Sequence, residues 1–165
     1  MPIDEALLAD MPYAPEGFLL DEILEIDPEG KRVRVRMPTH DDLPLTNTQR
    51  ADPLRHPRHV SGGLMVHMTG MAAFVHAYEL LGLRHAEGWI GYGVRIHDAR
   101  FFALSKPGKP IEISCTAVRN RRFGDKIMAR YAFRFEQEGE LVYESEQTAM
   151  WLKTDPTDST EPEDP

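Results

Sequence analysis

The sequence lacks the features that would place it in an oxidising compartment, in a membrane or on a nucleic acid. Cys115 is the single cysteine, so an intramolecular disulfide is excluded and we expect a cytoplasmic protein. No apolar run reaches the roughly 18 residues that a membrane-spanning helix needs, so no membrane partner is expected. The formal net charge is −8 and no face concentrates basic residues, which argues against a nucleic-acid partner.

The length of 165 residues, 41% of them hydrophobic, fits one domain with a sizeable core, which we place at residues 1–153. Residues 154–165 hold five acidic residues and three prolines but no large apolar side chain. Such a segment cannot bury enough surface to offset the entropy lost on ordering. We therefore predict a disordered acidic tail at 154–165.

The first part of the chain predicts a β-hairpin followed by a long loop. Residues 17–26 are predicted as a strand, 27–30 as a turn, and 31–37 as the returning strand. Arginines alternate with apolar residues in the returning strand, which favours a half-solvated strand with its charges outward over a contact with an anion or phosphopantetheine. Residues 39–58 are polar and interrupted by prolines, and loops of that length are often functional.

A long apolar helix follows a Ser-Gly-Gly turn. Ser61 is the predicted N-cap, and the helix after it is apolar on nearly every side, so other elements should pack around it. The first backbone N–H groups of a helix lack intrahelical acceptors and lie at the positive end of its dipole. Those of Gly62, Gly63 and Leu64 are therefore candidates for polarising a carbonyl oxygen.

Four strand-like runs come after the helix, at residues 89–102, 110–120, 126–137 and 140–152. Turns at 106–108, 122–125 and 138–139 predict that successive strands pair as an antiparallel meander. Cys115 is in phase with the apolar residues of its strand and is predicted to lie in the core. The order of elements predicts an α+β fold in which one antiparallel sheet curls around one long central helix.

Two segments resemble the hotdog superfamily. The turn and first apolar residues at 61–66 look like the start of its central helix, and residues 93–101 with 106–111 are similar to the Ala-Arg-Phe strand, Pro-Gly turn and next strand of β-hydroxyacyl-acyl-carrier-protein dehydratases. The resemblance covers roughly residues 17–152. It implies a hotdog fold and an enzyme of fatty acid metabolism acting on acyl thioesters of coenzyme A or acyl carrier protein, with no other cofactor. It also implies a homodimer or a dimer of dimers.

The catalytic patterns of that superfamily are incomplete here. Its dehydratases pair a loop histidine with a helix Glu or Asp; the helix position falls on His67 and the loop position on Pro53, with His56 and His59 nearby. Its thioesterases often carry an acid deeper in the helix, where this chain has residues 69–71 and no acid. Hydrolysis needs one base and a polarised carbonyl, whereas dehydration suits an acid–base pair, so the missing acid favours a thioesterase.

Histidine can act as a base near neutral pH, so the candidate catalytic residues are His59, His67 and His56. Asn47, Thr48 and Asp52 are candidates for orienting a histidine or a water. A metal bound by the three histidines is not expected, because no Cys or carboxylate completes the ligand set. A dehydratase or hydratase is the alternative function, and a non-catalytic acyl-binding protein is a further alternative.

Overall fold

The computed structural model of the protein describes residues 1–154 and contains three α-helices and six strands among them. The helices are α1 (Glu5–Asp10), α2 (Pro15–Phe18) and α3 (Gly62–Leu81), and a 3₁₀ turn spans His85–Glu87. The strands are β1 (Glu22–Asp27), β2 (Arg32–Met37), β3 (Trp89–Phe101), β4 (Ile111–Phe123), β5 (Lys126–Gln137) and β6 (Glu140–Lys153). Apart from Thr154, the predicted tail at 154–165 lies outside the described residues.

The six strands form one antiparallel sheet in the order β1-β2-β4-β5-β6-β3. Strands β4, β5 and β6 pair consecutively, as the turn signals predict. The prediction of a meander is wrong for β3, which crosses to the far edge and pairs with β6 rather than β4. Pairing between distant strands depends on tertiary packing, so local turn signals cannot reveal it.

The predicted first strand begins too early. Gly17 and Phe18 belong to α2, where Pro15 occupies the first turn and Leu19 ends the helix in the left-handed conformation. Strand β1 starts only at Glu22. The apolar residues before it are therefore a buried helical turn and connection: Phe18 is 1% exposed and Leu20 is 7% exposed.

The arginines of β2 lie half-exposed on the outer face of the sheet, as the alternation predicts. Arg32 and Arg34 pair with Glu25, and Arg34 also pairs with Glu112. Arg36 pairs with Glu22, the first residue of β1, and with Asp21 just before it. We call Arg32, Arg34 and Arg36 the paired arginine ladder of β2. Its positive charge is balanced by the neighbouring carboxylates.

Helix α3 lies against the inner face of the sheet and contacts β2, β3 and β4. Its buried positions go most of the way around the helix, including Met68, Met71 and Val75. The predicted core position of Cys115 is confirmed, and burial raises the pKa of its thiol well above the ordinary value. Among residues 1–154, no helix combines the length and the apolarity needed to cross a membrane.

Candidate active site

A cavity of about 720 Å³ lies between α3 and the β3-β6-β5 side of the sheet. Its helix wall runs from Val66 to Phe74, and its sheet wall includes Gly91–Ile96 of β3. The connection between α1 and α2 contributes Pro12 and Tyr13. Sites for small ligands usually measure about 300–1,000 Å³ and combine apolar walls with a few polar groups, so this cavity has the size and character of a binding site.

His67 is the predicted catalytic histidine that lines this cavity. Its Nε2 atom lies 2.7 Å from the carbonyl oxygen of Gly17. Because a carbonyl oxygen only accepts hydrogen bonds, Nε2 carries the proton and donates it. In the neutral ring the lone pair is then on Nδ1, so the backbone of α2 selects both the orientation and the tautomer of His67.

Tyr13 covers one side of His67. Its ring meets the imidazole edge to face, with centroids 5.2 Å apart, and its centroid lies 6.4 Å from that of Phe74. The segment that carries Tyr13 is anchored by Asp10, whose carboxylate oxygens accept hydrogen bonds from the backbone N–H groups of His85 and Ala86, each at 2.8 Å. The end of α1 is therefore tied to the 3₁₀ turn.

Further polar groups of the cavity come from the inner faces of α3 and β6. The hydroxyl of Thr69 donates to the carbonyl oxygen of Val66 at 2.6 Å and lies 3.2 Å from Oε1 of Gln147. The side-chain NH₂ of Gln147 donates one hydrogen to Ser145 Oγ at 3.0 Å. An amide nitrogen has two hydrogens, so Gln147 retains one donor for a ligand.

Gln147 is a polar residue of the cavity that is not among the candidates predicted from the sequence. The sequence nevertheless contains an indication of this residue. Ser145 and Gln147 lie an even number of positions from Tyr143 and Trp151, which face inward, so β6 places two polar side chains on an otherwise apolar face. Polar groups at core-facing positions of a strand need partners and often mark a site. No comparable sequence pattern indicates the contribution of Tyr13, because Tyr13 lies far from His67 in the chain.

The deep wall of the cavity is aromatic. Trp151 Nε1 donates to the Tyr131 hydroxyl at 3.2 Å, and the ring of Phe74 meets that of Trp151 edge to face with centroids 5.3 Å apart. Burial is the main cause that raises the pKa of Tyr131 above its ordinary value, so this phenol stays neutral. The wall therefore suits an uncharged, apolar portion of a ligand.

The other two candidate histidines lie in the long loop and are not among the residues that line the cavity. His56 and His59 face each other with ring centroids 5.0 Å apart. The Nδ1 atom of His59 donates to the carbonyl oxygen of Pro57 at 2.8 Å, and Gln49 bonds both backbone groups of His59. The structure thus brings His56 and His59 together and leaves His67 with different neighbours.

The loop residues proposed to orient a histidine or a water make local bonds. Asp52 Oδ1 accepts from the backbone N–H groups of Leu54 and Arg55, and the hydroxyl of Thr48 donates to the Leu45 carbonyl oxygen at 3.1 Å. Asn47 is exposed. The side chains of Thr48 and Asp52 therefore stabilise loop turns.

The start of α3 differs in detail from the prediction. Ser61 occupies the N-cap position, but its side chain makes no capping hydrogen bond. A Cβ atom on Gly62 would lie 3.0 Å from the Phe101 ring, so glycine allows β3 to approach the helix closely. Gly62, Gly63 and Leu64 lie before the helix segment that lines the cavity, and their role in polarising a carbonyl stays a prediction.

The other histidines of α3 and β3 have structural bonds. His76 is buried and donates from Nε2 to the Lys31 carbonyl oxygen at 3.0 Å, and desolvation lowers its pKa. His97 lies on the edge strand with Nε2 2.7 Å from Thr148 Oγ1. Within residues 1–154, no group of three or more His, Cys, Asp or Glu side chains is arranged to hold a metal ion.

Known structures resemble this arrangement of sheet and helix, whereas no protein-family profile matches the sequence. The dehydratase heterocomplex ApeI:P from Xenorhabdus doucetiae is 13% identical, with a TM-score of 0.64, and the match covers 95% of this chain and 93% of that chain. A mutant of the thioesterase PA1618 from Pseudomonas aeruginosa is 14% identical, with a TM-score of 0.63 and coverage of 93% and 96%. AziG from S. sahachiroi is 19% identical, with a TM-score of 0.59 and coverage of 88% and 99%.

These matches extend over nearly the whole length of the proteins compared, and they include one thioesterase and one dehydratase heterocomplex. The chain therefore has the hotdog fold that residues 61–66, 93–101 and 106–111 predict. At such low sequence identity the likeness is one of fold, and the chemistry must be argued from the residues of the cavity.

Proposed function

We propose that this protein binds an acyl thioester in the cavity beside His67 and hydrolyses it. The observation that carries the proposal is the hydrogen bond from His67 to the Gly17 carbonyl oxygen, because it leaves the basic Nδ1 of a neutral imidazole for catalysis. A histidine held in one tautomer in a largely apolar cavity is suited to general-base catalysis. The acyl chain lies along the aromatic wall, and the thioester carbonyl lies near His67 and Gln147.

In this mechanism His67 removes a proton from a water molecule as the water oxygen attacks the thioester carbonyl carbon. The remaining side-chain N–H of Gln147 donates to the carbonyl oxygen, where negative charge develops. Collapse of the tetrahedral intermediate breaks the C–S bond, and the thiolate receives the proton from the His67 imidazolium. The products are a carboxylic acid and a free thiol of coenzyme A or acyl carrier protein.

A dehydratase or hydratase is the second candidate, supported by two observations. The resemblance to dehydratases places His67 at the position of their helix acid, and a dehydratase heterocomplex is among the structural neighbours. Dehydration requires one group to remove a proton and another to protonate the leaving hydroxyl. Within residues 1–154 no carboxylate lines the cavity, which favours hydrolysis.

Turnover of defined thioesters separates these functions. Saturated acyl-CoAs test hydrolysis through release of free thiol, and 3-hydroxyacyl and trans-2-enoyl thioesters test dehydration and hydration through the enoyl absorbance. We expect thiol release from the saturated substrates and no change in enoyl absorbance. Turnover of only the second set would establish the dehydratase, and binding of acyl thioesters without any turnover would establish a non-catalytic acyl-binding protein.

We also propose a homodimer formed through the edge strand β3, with a dimer of dimers as the alternative assembly. β3 has one neighbour in the sheet, and Tyr92, Val94 and Ile96 are 53%, 53% and 49% exposed while lining the cavity. A long apolar edge strand left open is a site of association. In this proposal the sheet curves around α3 and a second copy closes the cavity, and light scattering should give twice the 18.8 kDa chain mass.

A further inference from the structure

The deep wall of the cavity contains a hydroxyl group whose hydrogen is unused. Tyr131 of β5 is one of the lining residues and is 1% exposed. Its phenol oxygen accepts the hydrogen bond from Trp151 Nε1 at 3.2 Å. A phenol can accept and donate at the same time, and no hydrogen bond among residues 1–154 has the Tyr131 hydroxyl as its donor. One O–H donor is therefore buried at this wall without an acceptor.

An unpaired O–H group in this position disfavours the folded state, because it has lost its hydrogen bonds to water and gained none in return. Burial also raises the pKa of Tyr131, so the hydroxyl keeps its proton. Most buried polar groups in proteins have a partner, and one that lacks a partner at a cavity wall can be satisfied by a ligand. The ligand group that satisfies Tyr131 must be a hydrogen-bond acceptor.

The surroundings of Tyr131 hold its hydroxyl in place. Trp151 is 3% exposed, and its ring meets that of Phe74 edge to face. Glycine at position 91 permits this arrangement, because a Cβ atom there would overlap the Trp151 ring. The Tyr131 ring packs edge to face against His76, whose Nδ1 atom has no hydrogen-bond partner among residues 1–154, Tyr131 included. A donor fixed in this way loses little further freedom when a ligand binds.

The acceptor that this donor suits is a neutral oxygen. Among residues 1–154, no Asp or Glu lines the cavity, and its single lining arginine, Arg95, lies on the exposed edge strand β3. A carboxylate buried against Phe74 and Trp151 would lose its hydration without gaining a positive partner there. A ketone or ether oxygen accepts the same hydrogen bond and is far easier to desolvate.

The distance from His67 determines where in the ligand this oxygen lies. His67 and Phe74 are seven positions apart on α3, which corresponds to about 10 Å along the helix axis. Phe74 contacts Trp151, and Trp151 bonds Tyr131, so the hydroxyl lies at the Phe74 end of the cavity. An extended chain advances about 1.2 Å per bond, so about eight bonds separate a carbonyl carbon beside His67 from the oxygen.

We propose that Tyr131 is a specificity-determining residue, which selects acyl groups with a neutral acceptor oxygen near their far end over plain alkyl chains. Its O–H group donates to that oxygen while its own oxygen keeps the hydrogen bond from Trp151. This inference rests on the proposed function, because it requires an acyl thioester whose carbonyl lies beside His67. It goes further by naming the class of acyl group.

Binding of analogues that cannot be hydrolysed tests this selection separately from catalysis. The probes are coenzyme A thioethers in which a methylene group separates the sulfur from the acyl carbonyl. Four acyl chains of equal length are compared: decanoyl, 5-oxadecanoyl, 7-oxadecanoyl and 9-oxadecanoyl. An ether oxygen in place of a methylene changes the size of the chain little and adds an acceptor without a donor. Calorimetry with the full chain gives the Kd of each analogue.

We expect the 9-oxadecanoyl analogue to bind about tenfold more tightly than the decanoyl analogue, and the 5-oxadecanoyl analogue to bind no more tightly than the decanoyl one. This preference should vanish in Tyr131→Phe. The ratio of two Kd values in one variant does not depend on its folded fraction, so loss of the hydrogen bond from Trp151 does not affect the comparison. Tyr143→Phe is the matched control and should keep the tenfold preference, because Tyr143 is a buried phenol on the inner face of β6 and is not among the lining residues.

Equal Kd values for the decanoyl and 9-oxadecanoyl analogues would overturn the inference, and so would a preference that persists in Tyr131→Phe. Failure of the proposed hydrolysis gives a different pattern. The preference in Kd, together with no thiol release from the corresponding thioesters, would support the selection and exclude the catalytic step, whereas thiol release without any preference would do the reverse. If none of the four analogues binds, the inference and the proposed function both fail.

Discussion

His67 on α3 donates a hydrogen bond to the carbonyl oxygen of Gly17 on α2, across a distance of 2.7 Å and 50 positions of the chain. The bond joins the middle of the cavity wall to a segment that has no regular strand pairing of its own. Activity at His67 should consequently depend on how firmly residues 10–18 are held.

Asp10 should be a stabilising anchor. Its carboxylate accepts hydrogen bonds from two backbone N–H groups of the 3₁₀ turn, so Asp10→Ala leaves both without their acceptor. We expect a loss of about 1–3 kcal/mol in the free energy of unfolding, measured by urea denaturation. Asp10→Asn keeps one acceptor and should lose less. The control is Glu5→Ala, because Glu5 lies on the exposed part of α1. Equal losses of unfolding free energy in Asp10→Ala and Glu5→Ala would refute the anchoring role.

Tyr13 should contribute to substrate binding through its ring alone. Removing the half-exposed ring by Tyr13→Ala is expected to raise KM for an acyl thioester roughly fivefold, equivalent to about 1 kcal/mol, because apolar contact beside His67 and Phe74 is lost. Tyr13→Phe retains the ring and should behave like the wild type. Steady-state kinetics on one substrate decide this, and a KM shift in the Phe variant would show that the hydroxyl matters instead.

Gln147 should act on the rate of the chemical step. Loss of an oxyanion donor typically lowers kcat by about 10²–10³, so Gln147→Leu should fall in that range with little change in KM. Glu144→Gln, on the outer face of the same strand, is the matched control and should leave kcat unchanged. A Gln147→Leu enzyme with wild-type kcat would remove Gln147 from the mechanism.

His76 should make stability depend on pH. Burial lowers its pKa in the folded protein below the ordinary 6.5, so the unfolded chain binds a proton that the folded chain excludes. Its contribution to stability is therefore complete above about pH 6.5 and is lost as pH falls, with a slope of at most about 1.4 kcal/mol per pH unit. His76→Gln should lack this component when unfolding is compared between pH 7.5 and 5.5; an identical pH profile would contradict the assignment.

The periodic elements could be predicted well from the sequence. Strand β5 occupies the predicted residues 126–137 because inward-facing apolar residues alternate along it with outward-facing residues that are mostly charged, and α3 follows the apolar run after Ser61. The turn residues placed the hairpins of β1-β2, β4-β5 and β5-β6 correctly. In each case the signal is local, within a few residues of the element that it specifies.

The remaining features depend on contacts between distant segments. Pairing of β3 with β6, the anchoring of His85 by Asp10 and the bond between His67 and Gly17 each join residues more than 40 positions apart. A local pattern also misassigned Gly17, because a short apolar run suits a strand or a buried helical turn equally well. The position of His67 near the helix start identifies it as a candidate base, but the sequence does not show whether His67 or His59 is the better candidate.

The comparison of His67→Gln with His59→Gln and His56→Gln tests the central claim most directly. The measurement is kcat for thiol release from the saturated acyl-CoA that the wild type hydrolyses fastest, with folding checked by circular dichroism. We predict that His67→Gln lowers kcat by about 10²–10⁴, as expected for loss of a general base, whereas the two loop variants stay within about twofold of the wild type. Full activity in His67→Gln together with a collapse in His59→Gln would contradict this account and place the base in the long loop.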